Sequence, residues 1–599
     1  MRVSLLILLL SAVASLHGSS FYLSPQGNDL NGDGSINAPW FTLEKAWKAA
    51  VAGDTIWLRG GTFEYITMQD LTGKDGINGK RIKIWAFPGE RPVITKGSTF
   101  DMVDQSNLIF IEADYVHLKG LEISNFSQKP GIRASSALFC YTSYSIFENL
   151  NYHHNGLGMV IRGKSTENLI LNCDFHHNYD PYNNDPYHHS DGLDIAEMPS
   201  GTRNTVKGCR FYLNGDDGLD LWNNEGTVII DSCWSWHNGY REDGITPGGD
   251  GAGFKLGQTT IIDNSTYRRI ITNSLSVSNR NFGITQNAAK CKMFICNNVF
   301  YDNKYMGIYF SASWGDASHV IRNNISYKNA TDAAIGIRLP VVDHNSWFPE
   351  YTVSDDDFLS VDTSELEHSR NDDGTLPKID FMHLTPGSDL IDTGIDVGIP
   401  YWGNAPDLGA FETITGTYHI NKPPVVSIAF SAKGSSFTAP ATVEVNIEAS
   451  DPDGTISKVE LYNGSKKIAE STTAPYSFTI KDLPAGSYFL RAIAIDDMNA
   501  SSVSSTLEVT VVAFNQKGEH FNLYPNPNDG RFTVDFSSLV EAKSFMLTVV
   551  DLIGNTVFQE QISSDESTRQ FDLSHLNSGI YILIIAAGQI LLTQKLILN

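Results

Sequence analysis

Positive charge is in short supply along this 599-residue chain, where 43 Lys and Arg stand against 68 Asp and Glu for a formal net charge of −25. That balance argues against a nucleic-acid partner, and an anionic polymer could be held only where the sign is reversed locally. Cysteine is sparse too, with six in all. Cys173, Cys209 and Cys233 recur at one position of a repeat and Cys291 and Cys296 lie close together, a pattern of small buried side chains, so free thiols are expected rather than a disulfide framework. Long apolar runs are missing beyond the first residues, which excludes a membrane-spanning helix. Met1-Arg2, the apolar run Ser4–Ala14 and the small residues after it read as a secretory signal over 1–19, too short for a span. The 3.6-residue apolar period of amphipathic helices is absent as well, which leaves strands.

What is present is a repeat. Runs loosely following Ile-x-Asn-x-x-Phe-x-x-Asn occupy 147–155, 170–178, 206–214, 230–238, 271–279, 295–303 and 321–329. Their fourth positions are Leu150, Cys173, Cys209, Cys233, Ser274, Asn298 and Asn324, with Leu121 as a looser early member. The shorter steps, 23 residues from Leu150 to Cys173 and 26 from Asn298 to Asn324, hold brief Ile/Val/Leu/Phe strands broken by Asn and Gly turns. That length suits one coil of a solenoid whose neighbours supply the missing core, whereas propeller blades are longer. An all-β chain led by a right-handed parallel β-helix is predicted.

A second series sets the register. Gly158, Gly192, Gly218, Gly253, Gly283 and Gly307 are followed by Met159, Leu193, Leu219, Phe254, Ile284 and Ile308. With those apolar side chains in the core, their neighbours point outward. Two places after each glycine stand Val160, Asp194, Asp220, Lys255, Thr285 and Tyr309, which in-register coils would stack about 4.8 Å apart. Asp191 and Asp217 precede two of the glycines, with Asp216 alongside. Carboxylates so crowded repel one another unless a cation neutralises them, and Ca²⁺, which takes roughly six to eight oxygens in flexible geometry, suits them. The two long steps, Cys173 to Cys209 and Cys233 to Ser274, bring extra loops at 179–190 and 239–250, expected to wall a groove.

The segments Asn-Gly-Asp-Asp-Gly-Leu-Asp-Leu-Trp (214–222), Ser-Cys-Trp-Ser-Trp-His-Asn-Gly (232–239) and Gly-Asp-Gly-Ala-Gly-Phe-Lys-Leu-Gly (249–257) resemble polysaccharide lyase family 9, the β-helical pectate lyases. Residues 37–63 and 384–412 resemble that family's amino-terminal cap and its end, so the likeness covers 20–412. It implies calcium ligands at Asp191, Asp216, Asp217 and Asp220, a catalytic base at Lys255, and an acidic plant cell-wall polysaccharide, polygalacturonate or pectin, as substrate. One departure is Leu193-Asp194-Ile195-Ala196-Glu197, where the family typically continues with small residues and a lysine. Asp194 is therefore a candidate for an additional metal ligand or for a substrate subsite.

The chemistry so implied is β-elimination. The C5 hydrogen of a uronic acid is only weakly acidic, and a cation bridging protein and substrate carboxylates would withdraw charge from it. Lys255 would take that proton as a neutral amine, its ordinary value of about 10.4 being lowered by partial burial and by the cation. Singly, each piece has a plainer explanation: Asp-Gly turns are common, and a lone lysine on a strand face is more often a surface charge or the partner of Asp220. Convergence on one face favours the site. His153/His154 and His176/His177 hold equivalent repeat positions, as stacked turn residues would, whereas His188 and His189 fall in the site loop. Trp222 and Trp234 are candidates for the groove wall or for core packing. Rival functions are a lyase acting on rhamnogalacturonan, a β-helical hydrolase using two carboxylates without calcium or Lys255, and a glycan-binding adhesin that releases no product.

Residues 413–424 read as a linker. Residues 425–513, with alternating strands and the turn Asp451-Pro452-Asp453-Gly454, suggest a seven-strand sandwich resembling bacterial immunoglobulin-like modules, with no exposed aromatic row to bind glycan. Residues 522–599, with Leu-Tyr-Pro-Asn-Pro-Asn-Asp-Gly-Arg-Phe and Ser-Gly-Ile-Tyr-Ile-Leu-Ile-Ile, resemble the carboxy-terminal sorting domain of the type IX secretion system. That resemblance implies the secretion machinery as a partner and a secreted or surface-attached protein. A monomer is expected.

Overall fold

The repeat resolves into three parallel sheets. The computed structural model describes residues 18–131, 135–260, 263–311, 319–336, 341–431, 436–498, 500–512, 521–537, 544–551, 555–563, 566–587 and 590–599. Nearly all of the expected signal segment lies outside them. One sheet has twelve strands, from Ser20–Leu23 to Val341–Asp343. Two have ten: Gln69–Thr72 to Thr331–Ile335, and Gly61–Tyr65 to Ile325–Tyr327. Each full coil visits all three and pairs in register with the coils before and after it, building the right-handed parallel β-helix.

The repeat motif explains the coil. Its first and sixth residues fill the core, and Tyr152, Phe175 and Phe211 stack there at ring separations of 4.9 and 5.2 Å. Its third residue turns the chain in the left-handed region, with φ of 54° at Asn172, 52° at Asn273 and 57° at Asn323. Asparagine tolerates that conformation better than most residues do. Its ninth forms a buried ladder in which the Asn178 amide donates to Asn214 Oδ1 (2.8 Å), Asn214 to Asn238 (2.9 Å) and Asn238 to Asn279 (3.0 Å). Turn polarity is thereby satisfied inside the protein, where an unpaired amide would cost about 1–3 kcal/mol. All six cysteines are buried and free, as expected.

The amino-terminal end of the β-helix is capped and one of its flanks is covered. Helix Leu43–Ala49, capped by Thr42, whose side chain accepts from the Lys45 amide, buries Leu43, Ala46 and Trp47. Beyond the last coil the chain lays Phe358, Leu366, Phe381 and Leu408 against Trp234, Trp236, Val277 and Tyr301 of the third sheet.

Residues Ile420–Asn599 form a second unit. Val425–Phe430, Ala441–Ser450 and Tyr476–Leu483 make one antiparallel sheet of an immunoglobulin-like sandwich, and six strands between Ser436 and Val512 make the other. The described strands exceed the seven expected because Ser436–Thr438 and Ser501–Val503 are three-residue edge strands too short to show a period. A smaller antiparallel sandwich follows from Asn522 to Leu598. Among the described residues no helix is long and apolar enough to cross a membrane.

Candidate active site

The glycine-centred segments lie side by side in the ten-stranded sheet that runs from Gln69–Thr72 to Thr331–Ile335, here called the groove sheet. Strands Leu193–Ala196, Leu219–Asp220 and Phe254–Lys255 pair in register, Asp194 with Asp220 and Asp220 with Lys255. Leu193, Leu219 and Phe254 are at most 1% exposed, which turns the other face of those strands outward as the alternation requires. A side chain at Gly218 would set its Cβ 2.6 Å from the Gly253 carbonyl and 2.3 Å from Ser235 Oγ, so only glycine lets these coils approach so closely.

Lys255 Nζ sits within 2.9 Å of Asp217 Oδ2, 3.2 Å of Asp220 Oδ2 and 3.0 Å of Asp250 Oδ2. Asp250 closes the 239–250 loop, and its amide donates to Asp216 Oδ1. Asp217 Oδ1 accepts from the Ala252 amide (2.6 Å) and Asp191 Oδ1 from the Asp217 amide (3.1 Å). Asp194 Oδ2 lies 3.3 Å from Arg162, which also reaches Glu197 at 3.6 Å. The loops are joined by the Tyr187 hydroxyl, which donates to Glu242 (2.9 Å). They wall a cavity of about 470 Å³ lined by Asp191, Asp194, Asp220, Lys255, His188 and Trp222 among others.

Charge dominates this cavity: Asp191, Asp194, Asp216, Asp217, Asp220 and Asp250 face two cations, Lys255 and Arg162. Burial, then mutual repulsion, drives the Asp191 and Asp216 carboxyls well above the ordinary range. Burial raises Asp217 to about 6 despite Lys255, and Asp194 to about 7 despite Arg162. For Lys255 burial acts downward, as the sequence suggested. Asp217, Asp220, Asp216 and Asp191 outweigh it and hold the ammonium proton well above the usual lysine range. The neutral amine expected from the sequence therefore depends on a bound cation to offset these carboxylates.

The donor set suits a hard cation. Asp191, Asp216 and Asp217 present oxygens all within 4.8 Å of one another, and Asp216 with His188 and Asp250 forms a second such group. Asp220 belongs to neither group, but its Oδ1 is buried without a hydrogen-bond partner, as is Oδ1 of Asp194. The oxygen-only group of Asp191, Asp216 and Asp217, with the buried, unsatisfied acceptors of Asp220 and Asp194 on the same face, fits Ca²⁺.

His188 and His189 both line the cavity, His188 Nδ1 lying 3.6 Å from Asp250. Trp222 lines it at 40% exposure, while Trp234, at 2%, packs in the core beneath the carboxy-terminal segment. The paired histidines of the repeat stack as turn residues, His153 on His176 (5.0 Å) and His154 on His177 (5.2 Å). Asp250 and Arg162 escaped the sequence reading. Asp250 lies inside the quoted 249–257 segment but off the strand alternation, and Arg162 stands two places beyond Val160 on the same face.

Three comparisons bear on this site. A model of the Pel9A-like right-handed β-helix region matches residues 21–324, a bacterial Ig domain matches 424–492, and a secretion system C-terminal sorting domain matches 522–599. Pectate lyase L of Dickeya dadantii (strain 3937) is 31% identical over 412 residues, covering 65% of this chain and 90% of that protein. The crystal structure of pectate lyase Pel9A superposes with a TM-score of 0.55 at 29% identity, over 66% of this chain and 96% of that one. A rhamnogalacturonan lyase structure gives the same TM-score at 25% identity, over 62% and 97%.

Proposed function

The chain belongs to the Pel9A-like right-handed β-helix family, and from that premise we propose that it is a secreted, calcium-dependent pectate lyase. It is a polysaccharide lyase, and polygalacturonate is the substrate we propose for it, in line with its pectate lyase relatives. The observation that carries the reading is Lys255 enclosed by Asp217, Asp220 and Asp250 on the face where Asp191 and Asp216 converge.

In this reading Asp191, Asp216, Asp217 and Asp220 hold Ca²⁺. Bound there, the ion would supply the positive charge that neutralises a substrate carboxylate and acidifies the neighbouring C–H. Lys255 Nζ, freed of its own proton, takes the hydrogen from C5. The C–H electron pair becomes the C4=C5 double bond, and the C4–O bond breaks with its electrons leaving on the departing sugar, which gains a proton. No water is consumed. The carboxylates that hold the Lys255 proton are those assigned to calcium, so occupation of that site and release of the proton are linked. Asp250, outside the calcium set and 56% exposed at its side chain, remains to orient the amine. Arg162 occupies one oxygen of Asp194, which favours a subsite role for that carboxylate over a metal ligand.

The sorting domain at 522–599 supports export through the type IX system to the medium or the cell surface. Mass analysis of the products from polygalacturonate and from rhamnogalacturonan tests the assignment. Fragments ending in an unsaturated uronate, lighter by one water than hydrolysis products, are expected from polygalacturonate; saturated fragments, or none, would refute it.

A further inference from the structure

Toward the amino-terminal coils the groove sheet changes character. Beyond Asp194 its outward positions are Val160, Phe139 and Phe110, each paired in register with the next, and Tyr141 follows Phe139 on the same strand face. Phe110 and Phe139 stack at 6.1 Å, Tyr141 meets both edge-on at 6.2 and 5.3 Å, and the Arg162 guanidinium lies 5.6 Å over Phe139. These rings line a second cavity of about 400 Å³, with Gln105, Asn107 and Ser136 as polar neighbours. Gln105, Leu157 and Arg162 border both this cavity and the one holding Lys255, so the two are stretches of one groove. Phe139 is four strands from Lys255 and Phe110 five, about 19 and 24 Å at the usual strand spacing.

A single exposed tyrosine on a soluble surface needs no explanation, but three touching rings in a concave groove continuous with a reactive lysine do. Nothing in the described protein covers Tyr141, which is 41% exposed. A galacto-configured pyranose carries its C3, C4 and C5 hydrogens on one face, an apolar patch that stacks on aromatic rings while its hydroxyls reach amide side chains such as Gln105 and Asn107. We propose that Phe110, Phe139 and Tyr141 form a remote sugar-stacking subsite, holding a distant part of the same glycan chain whose bond is broken at Lys255. The enzyme then acts within long chains and discriminates by length. This rests on the lyase reading above.

The test compares the full-length wild type with the double variant Phe139→Ala/Tyr141→Ala on polygalacturonate and on trigalacturonate, which is too short to reach both Lys255 and the rings. On the polymer kcat/KM is expected to fall about tenfold, mostly through KM, and on the trimer to stay unchanged. Equal losses on both substrates, or none on the polymer, would overturn the subsite. Should the double variant melt far below wild type, Tyr141→Ala alone is expected to weaken polymer turnover and Tyr141→Trp to preserve it. Polygalacturonate binding is measured in parallel on a Lys255→Ala background, where loss of affinity on removing the rings supports the subsite even if no unsaturated product is ever seen. Unchanged affinity, or no binding by the parent, refutes it independently of the chemistry.

Discussion

Lys255 is held where burial and charge pull in opposite directions, and the carboxylates win as long as no other cation shares them. The same balance gives the site a pH signature. Asp217, at about 6 against an ordinary 3.8, and its raised neighbours Asp191, Asp216 and Asp220 bind protons more tightly folded than unfolded. In calcium-free protein the contribution of Asp217 is complete below about pH 4 and is lost as the pH rises through about 6, and its raised neighbours act in the same direction. Calcium needs these groups ionised, so the rise in Tm on adding it is expected to be small at about pH 5 and several degrees at about pH 8. Thermal melts with calcium and with chelator at the two pH values check this; a larger rise at the lower pH would contradict it. The ladder Asp194–Asp220–Lys255 was legible in the sequence because strand alternation and coil length alone decide it. Asp250 was not, since its place depends on the path of a loop, and neither was the strength with which the surrounding carboxylates hold the Lys255 proton, which depends on the whole three-dimensional charge set.

At the level of elements, each coil is held by devices that recur at fixed motif positions. Left-handed turns fall at the third position, buried rings or serines at the sixth and the amide ladder at the ninth, and this regularity is why the β-helix could be read from sequence. The folding back of the carboxy-terminal segment onto the third sheet could not, because its contacts pair residues far apart with no period to reveal them. The ladder also offers a test remote from the groove. Asn303 accepts from both nitrogens of Asn279 and donates to Asn329 (2.9 Å) and the Ser276 carbonyl (2.9 Å). Asn303→Ala strands several of these partners, so stability is expected to fall by about 2 kcal/mol or more, seen as a lower Tm, with turnover per folded molecule unchanged. Equal loss of turnover and stability would show that the ladder shapes the groove.

For the whole molecule, the carboxylate site and the aromatic groove are built entirely from residues before His419, while the sorting-domain match begins at residue 522. A chain ending before residue 522 is therefore expected to keep wild-type turnover of polygalacturonate while losing export from a host with type IX secretion, checked by assaying lysate and medium. Loss of turnover would give the carboxy-terminal domain a catalytic part. With a net charge of −25, an anionic substrate would be held only where the sign is locally reversed, which is the part proposed for calcium. The most direct test of that part is the ultraviolet absorbance of unsaturated uronate released from polygalacturonate, followed with calcium, with chelator, and for Lys255→Ala. The expected result is a rise with calcium that chelator abolishes and that Lys255→Ala reduces by about 10²- to 10⁴-fold. A rise that survives both chelator and the substitution would contradict a calcium-assisted elimination with Lys255 as the base.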